Sequence, residues 1–261
     1  MPGRPYVLEE AALRAVRERP VEVAVLPWGA TEPHNLHLPF GTDTIEAWEV
    51  AVEAARIAWA SGAGIMVLPA IPIGANAQQL DTPLTLNLNP STQALVLEDL
   101  VASLERHGVA KLVIVNGHGG NDFRQMIREL QPRTTVFLSA VSWYAVIAPE
   151  EHFDEPGDHA GELETSVMMH VRPDWVHPLE DAGAGEARVF RIRALREGWA
   201  WAPRDWSQVT DDTGVGDPRA STPDKGRGYF EAVTRKIGGF LAEMAAADVS
   251  DLYALPGEVE P

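Results

Sequence analysis

Four short apolar runs set the terms for this chain: VEVAVLPWG (21–29), GIMVLPAIPIG (64–74), KLVIVNGHGG (111–120) and TTVFLSAVSW (134–143). Each is rich in β-branched and aliphatic residues and ends in loop chemistry. Near-continuous apolar runs of this length read as strands buried on both faces rather than as half-exposed alternating strands. Between them lie segments of helical period at 44–62, 91–108 and 122–132. Ser91 or Thr92 is placed to cap the second of these, and Gly62 and Gly108 to terminate the first two. Strand and helix alternate, so the expected fold is a single α/β domain with a mostly parallel central sheet and helices on both faces.

After Tyr144 the pattern changes. A loop rich in Pro, Asp and Glu leads to a helix expected over 161–171, then a basic strand-like stretch ARVFRIRAL (187–195) and a Trp-rich irregular segment. A closing helix is expected over 229–249, although Gly238 and Gly239 weaken it. We expect one domain over residues 1–255 and a frayed tail over 256–261. The length of 261 residues and the 45% hydrophobic content are enough for one large core, and no internal repeat is present.

The formal net charge of −17 argues against a reader of phosphate backbones, so no nucleic-acid partner is expected. Cysteine is absent, which excludes disulfides, thiolate metal sites and thiol nucleophiles together. The N-terminal stretch lacks a long apolar region and no segment approaches a membrane span, from which we expect a soluble cytoplasmic protein with no membrane partner.

In an open parallel sheet the site forms at the carboxyl ends of the strands. Two strands here run into unusual polar loops. GATEPHNLHLPFGTDT holds Glu32, His34, His37 and Asp43, and NGHGGND holds Asn116, His118, Asn121 and Asp122. A third cluster, DHAGELETS, supplies Asp158, His159, Glu162 and Glu164 ahead of an apolar helix. Mixed carboxylate and imidazole without thiol suits Zn²⁺, Mn²⁺ or Fe²⁺ in a catalytic setting, where one carboxylate can bridge two ions. Glu32 and His34 alternate, so an extended backbone points both into one pocket, with Asp43 placed to bridge. Gly119 and Gly120 leave backbone N–H groups open to a ligand. The plainer readings are a loop charge at Glu32, a helix cap at Asp43, a glycine turn at 117–120, and acids favouring the helix dipole at Glu162 and Glu164. His37 then supports its loop, and His107, His152, His170 and His177 are structural. Trp143 and Trp28 are candidates to line a substrate pocket or to fill the core.

Taken together, GATEPHNLHLPFGTD, NGHGGN, HAGELETS and TGVGDPRASTPDKG, in this order over about residues 21–230, resemble the creatininase family of binuclear metal amidohydrolases. The resemblance implies a three-layer α/β/α fold and two divalent ions per chain held by Glu32, His34, Asp43 and His118, with Asp43 bridging. It also implies a proton shuttle at His159, a small-molecule substrate and a symmetric homo-oligomer, often a hexamer. Creatininase carries an acidic ligand two residues after the histidine of NGHGGN, where this chain has Gly120. The missing carboxylate is expected from Glu162, one helical turn after His159, with Glu164 the competing candidate. Family members usually read Glu-Gln-His-Gly where this chain has Glu32-Pro33-His34-Asn35, and a Pro-Gly-Thr element is Pro83-Leu84-Thr85 here. These departures touch the pocket and put creatinine itself in question.

The expected reaction is hydrolysis of a C–N bond in a small cyclic amide, guanidino compound or formamide by a metal-bridging hydroxide, with Trp143, Gly119 and Gly120 near the substrate. The alternatives are cleavage of a C–C bond in a cyclic diketone-like sugar derivative, trimming of a peptide, or a non-catalytic metal-binding protein. A sugar-phosphate enzyme is weaker, because NGHGGN lacks the Lys and Ser/Thr of a phosphate-binding loop.

Overall fold

All four apolar runs contribute a strand, and the four strands pair in parallel in the order β2-β1-β3-β4. In this computed structural model, which describes residues 3–255 and 257, the strands are β1 (Val23–Trp28), β2 (Ile65–Val67), β3 (Lys111–Asn116) and β4 (Phe137–Ser142). The helices are α1 (Leu13–Glu18), α2 (Thr42–Ala60), α3 (Pro90–Arg106), α4 (Phe123–Leu130), α5 (Glu162–Val171), α6 (Arg193–Arg196), α7 (Trp206–Val209) and α8 (Pro223–Ala246). The result is a single mixed α/β domain.

Alternation along each strand sends side chains to opposite faces, and both faces are covered. Val23 and Val25 of β1 and Val113 and Val115 of β3 pack in one core with Val50, Ala54 and Ala58 of α2, Val167 of α5, and Val233, Ile237 and Leu241 of α8. Ala24, Leu26 and Trp28, with Leu112 and Ile114, pack in the other with Leu97 and Val101 of α3 and Phe123, Met126 and Leu130 of α4. Each of the larger aliphatic and Phe or Met side chains withdrawn from water contributes on the order of 1.5–3 kcal/mol before the entropy of ordering it is charged. Trp28 is therefore core, tilted against Phe123 with ring centroids 5.0 Å apart, and its Nε1 donates to the Ile73 carbonyl oxygen.

The chain leaves β1 for β2 on one side and then crosses back to β3 on the other. The carboxyl ends of β1 and β3 thus flank the point where the winding reverses, the position at which open α/β sheets leave a crevice.

Several local expectations hold. Gly62 (φ 102°) and Gly108 (φ 75°) end the first two long helices in the left-handed region. The Gly238-Gly239 pair stays inside α8 because a Cβ on Gly238 would press into the Ile57 side chain and the Ala54 carbonyl oxygen, where α8 lies against α2.

Others need correction. The stretch 187–195 is not a strand. It joins no strand of the sheet, Val189 and Ile192 stay exposed, and only Arg193–Arg196 turn helical. Neither Ser91 nor Thr92 caps α3, whose N-cap is Asn89 with Pro90 at the first helical position, where a fixed φ suits the helix. The run 64–74 pairs regularly only over Ile65–Val67, since Pro69 and Pro72 cannot donate to a ladder; a single bridge from Trp28 to Ile71 prolongs it. The closing helix starts at Pro223, six residues before the expected onset, because Thr222 caps it by accepting from Lys225 N. The tail expected over 256–261 lies outside the described residues, apart from Gly257. Among the described residues, no helix is long and apolar enough to cross a membrane.

Candidate metal centre

The loop from β1 to α2 folds back on itself so that Glu32 N donates to the Phe40 carbonyl oxygen and His34 bridges Leu38. Asn35 turns the corner with φ 54°, a conformation asparagine tolerates better than most side chains. This fold-back sets Glu32 and His34 against the first turn of α2, from which Asp43 projects. Asp43 is not the cap of that helix; the N-cap is Gly41, and no side chain bonds there. From β3, Asn116 clasps the next loop, accepting from His118 N and donating to the His118 carbonyl oxygen. Asn121 tightens it by donating to Asn116 and Gly29 and accepting from Ala75 N and Gln93. Asp122 caps α4 by accepting from Arg124 N. The asparagines and Asp122 thus hold the loop, and His118 is the residue it presents.

Three donor groups result, each with its ligand atoms within 4.8 Å of one another: Glu32, Asp43 and His118; His34, Asp43 and Glu164; and Glu32, His34 and His159. Asp43 is common to the first two. Glu32, His34 and Asp43 are at most 1% exposed. His34 Nε2 lies 2.8 Å from Asp43 Oδ1, and His118 Nδ1 lies 3.0 Å from both Glu32 Oε1 and Asp43 Oδ2.

The three imidazoles share one arrangement. His34 Nδ1 lies 3.0 Å from the Glu32 carbonyl oxygen, His118 Nε2 lies 3.2 Å from that of Ala75, and His159 Nε2 lies 2.9 Å from that of Pro33. A carbonyl only accepts, so in each ring that nitrogen carries the proton and the other faces the carboxylates. Backbone anchoring of this kind fixes the tautomer of metal-binding histidines.

The electrostatics of the group suit a cation. Burial works to lower His34, yet Asp43 foremost, with Glu164 and Glu32, raises it to about 10. His118 is likewise opposed by burial and driven well above its usual value by Glu32 and Asp43. Burial would raise Asp43, but the two imidazoles hold its carboxyl below the ordinary range. Glu164, partly buried, is raised mainly by desolvation. Two carboxylate oxygens, Glu32 Oε1 and Asp43 Oδ2, receive no directed hydrogen bond although both are buried. Crowded carboxylates with orphaned oxygens and pre-set imidazoles fit divalent cations.

Glu162 does not join this group, which corrects the sequence preference. Its carboxylate turns away to pair with Lys225 Nζ and to accept from Glu155 N at 2.9 Å. Glu164, two residues on, faces His34 and Asp43 and also accepts from Ala160 N at 2.5 Å. Helical spacing from His159 misled, because His159 precedes the helix: Ala160 takes φ 50° and α5 begins only at Glu162. Gly120 shows why the acid cannot sit at the family's usual place. A Cβ there would overlap His118 Nε2 and the Ala75 carbonyl oxygen.

The remaining candidates divide. Trp143 is 1% exposed and packs edge-on against Tyr144 and Tyr229, with Nε1 lacking a partner. Gly119 is exposed with open space above it. His37 is buried away from the carboxylates, 2.8 Å from Thr165 Oγ1, and burial lowers it to about 4, so it is a neutral loop support. Among the other histidines, His152 meets Tyr229 edge-on and His170 lies tilted against Phe230.

Three neighbours gave no local sequence signal. Gln79 Nε2 donates to Glu32 Oε2 at 2.6 Å. Trp206 packs edge-on against His159 with ring centroids 5.0 Å apart, and Glu46, fully buried one turn after Asp43, has neither carboxyl oxygen hydrogen-bonded. Burial, then the charges of Glu164 and Asp43, push the Glu46 carboxyl well above its usual range. Only tertiary structure brings these three to the site.

Comparison with known proteins points the same way. The family model described as creatinine amidohydrolase matches residues 9–241. A solved putative creatinine amidohydrolase from Bacteroides fragilis superimposes with a TM-score of 0.90 at 44% identity, over 94% of this chain and 98% of that one. The mycofactocin precursor peptide peptidase of Mycobacterium tuberculosis is 31% identical over 80% of both chains. Solved creatininases include a manganese form, at 22% identity and a TM-score of 0.75 over 92% of this chain and 98% of that one, and a mutant of zinc–zinc type, at 23% with the same TM-score and coverage. With the model match spanning most of the chain, this protein belongs to the creatininase family and is a metal-dependent hydrolase.

Proposed function

We propose that this enzyme hydrolyses an amide-type C–N bond with two divalent ions, Zn²⁺, Mn²⁺ or Fe²⁺, and that Asp43 bridges them. The observation that carries the reading is Asp43 shared between two donor groups, Glu32 and His118 on one side, His34 and Glu164 on the other. The donor set of carboxylates and imidazoles without thiolate suits these metals. When bound, such cations polarise a carbonyl oxygen and bring the pKa of water towards neutrality.

The chain's own residues do the rest. Gln79 holds Glu32 by its second oxygen, leaving the other to face His118. His159 turns Nδ1 to within 3.8 Å of Glu32 Oε1 while Pro33 holds its far nitrogen, so this nitrogen is placed to carry a proton between the attacking water and the leaving amine. Trp206 and the ring of His34, 4.2 Å from His159 between centroids, confine that imidazole. Such confinement favours a small substrate, a cyclic amide, guanidino compound or formamide.

A second reading, trimming of a peptide, is supported by the similarity to the mycobacterial peptidase and uses the same bond chemistry. We carry the homo-oligomer implied by the family into this reading.

Elemental analysis of wild type and Asp43→Ala, beside assays on creatinine, cyclic imides, formamides and short peptides, tests it. About two metals per wild-type chain, with metal and hydrolysis both lost in Asp43→Ala, is the expected result. A single metal per chain, or an Asp43→Ala protein that keeps both, overturns the bridging role. Turnover of the peptides alone decides for the second reading.

A further inference from the structure

Residues 187–204, the stretch 187–195 that does not become a strand and the Trp-rich segment after it, form an exposed arm that is both basic and aromatic. Trp199 is 75% exposed and Trp201 85%, beside exposed Val189 and Ile192. The same residues carry five arginines, Arg188, Arg191, Arg193, Arg196 and Arg204, against the single acid Glu197, a net of +4 in a chain of net −17. The arm is internally braced: Arg196 donates to the Phe190 carbonyl oxygen, Arg193 pairs with Glu197, and Trp199 Nε1 donates to Glu197. Its aromatic surface is thus held in place rather than collapsed, which lowers the entropic cost of a contact.

Beside the base of the arm lies its electrostatic complement. The loop 150–158 carries Glu150, Glu151, Asp154, Glu155 and Asp158, all exposed, and no Lys or Arg. Arg204 pairs with Asp158 at 2.6 Å, so arm and acidic loop share one surface. A surface that presents a basic aromatic element next to an acidic one is self-complementary, the condition for a two-fold contact in which each copy gives what the other receives.

We propose that two copies of this chain associate through this surface, the arm of each lying on the acidic loop 150–158 of the other, with Trp199 and Trp201 as the buried anchors. A nucleic acid or an anionic membrane would suit the arginines but meets the remaining charge of −21 on the same molecule, whereas a second copy meets it favourably. Two tryptophans withdraw about 300–500 Å² from water per protomer, a large part of the roughly 800 Å² per partner of a standard interface. The contact also bears on the active site, because Arg204 stacks over Trp206 at 5.0 Å and Trp206 packs on His159. The proposal rests on the oligomeric reading above and deepens it.

Analytical ultracentrifugation of the full chain at about 10 µM tests it through charge exchange. Two variants are compared, Arg191→Glu/Arg193→Glu in the arm and Glu150→Lys/Glu151→Lys in the loop, with unfolding temperatures measured to establish that each is folded. Each alone is expected to weaken self-association at least tenfold, and a 1:1 mixture to restore it, since both contacts of the mixed pair are again opposite in charge. Trp199→Ser/Trp201→Ser is expected to dissociate the pair without rescue by either. A monomeric wild type overturns both this proposal and the oligomeric reading. Assembly indifferent to the variants, or no recovery on mixing, overturns this surface alone. Metal content and hydrolysis read on the same samples keep the metal-hydrolase reading separate: a wild type that pairs but holds no metal sinks that reading and leaves this one standing.

Discussion

Gly120 and Glu164 form a compensating pair of positions. Where the resemblance leads one to expect a carboxylate, the backbone passes so close to His118 and Ala75 that only hydrogen fits; Glu164, in the first turn of α5, faces His34 and Asp43 from across the site. Glu162 and Glu164 therefore separate cleanly on substitution. Glu164→Gln is expected to lose about one of two ions per chain and to lower turnover at least tenfold, because a ligand is exchanged for an amide. Glu162→Gln is expected to keep both ions, and elemental analysis of the two proteins side by side checks the contrast. Most of the candidate site was legible in sequence because Glu32, His34 and His118 sit in loops that follow strands and Asp43 opens the helix after the first of these loops, where local order nearly dictates direction. The choice between the two glutamates was not, because it turns on the left-handed Ala160, which cancels the helical register with His159. Gln79, Glu46 and Trp206 were invisible for a different reason: each reaches the site from a segment with no chemical signature of its own.

At the level of elements, α5 and α8 are locked where they meet the site. Gly226 in the first turn of α8 lets the helix touch the backbone of Ser166, since a Cβ would overlap the Ser166 carbonyl oxygen. Beside it Lys225 Nζ reaches the fully buried carboxylate of Glu162 and also Asp154, 3.0 Å away. Truncating the lysine leaves that carboxylate without its cation in a place water does not reach. Lys225→Met is expected to cost about 1–3 kcal/mol, read as a lower urea midpoint with an unchanged slope. Because Glu162 turns away from the metal centre, metal content is expected to be kept, and Lys236→Met, remote from Glu162, serves as the control. The main helices and strands were predictable from period alone, with ends displaced by one to several residues through Pro90, Thr222 and the prolines after Val67. The stretch 187–195 misled because its apolar residues alternate as a half-buried strand would, while it pairs with none of the four strands. Alternation states which side chains seek cover, and the sheet decides whether a partner strand is there to give it.

Across the whole molecule, the reversal of winding between β1 and β3 gathers Glu32, His34, Asp43 and His118 behind 0–5% exposure, with Glu46 and Glu164 beside them. Without cations this buried charge is balanced by protons on His34 and His118, and stability then depends on pH in a definite sense. A histidine whose pKa rises on folding, here His34 from 6.5 to about 10, stabilises the native state fully below pH 6.5 and loses that contribution as pH climbs through 10. At about 1.4 kcal/mol for each pKa unit, the loss for the metal-free chain amounts to several kcal/mol, discounted for the coupling to Asp43. Cations take over the role of those protons, so the loaded enzyme escapes the loss. Metal uptake must also expel protons, and apparent affinity for Zn²⁺ or Mn²⁺ should therefore rise with pH between 6.5 and 9. Urea denaturation of chelator-treated and metal-loaded protein at pH 6 and pH 9 measures the first effect, and calorimetric titration in buffers of different ionisation enthalpy measures the second. The expected pattern is a gap between the two forms that widens towards pH 9, with at least one proton released per chain. A gap independent of pH, with no proton released, would mean that the imidazoles are neutral and the carboxylates already ionised before metal arrives.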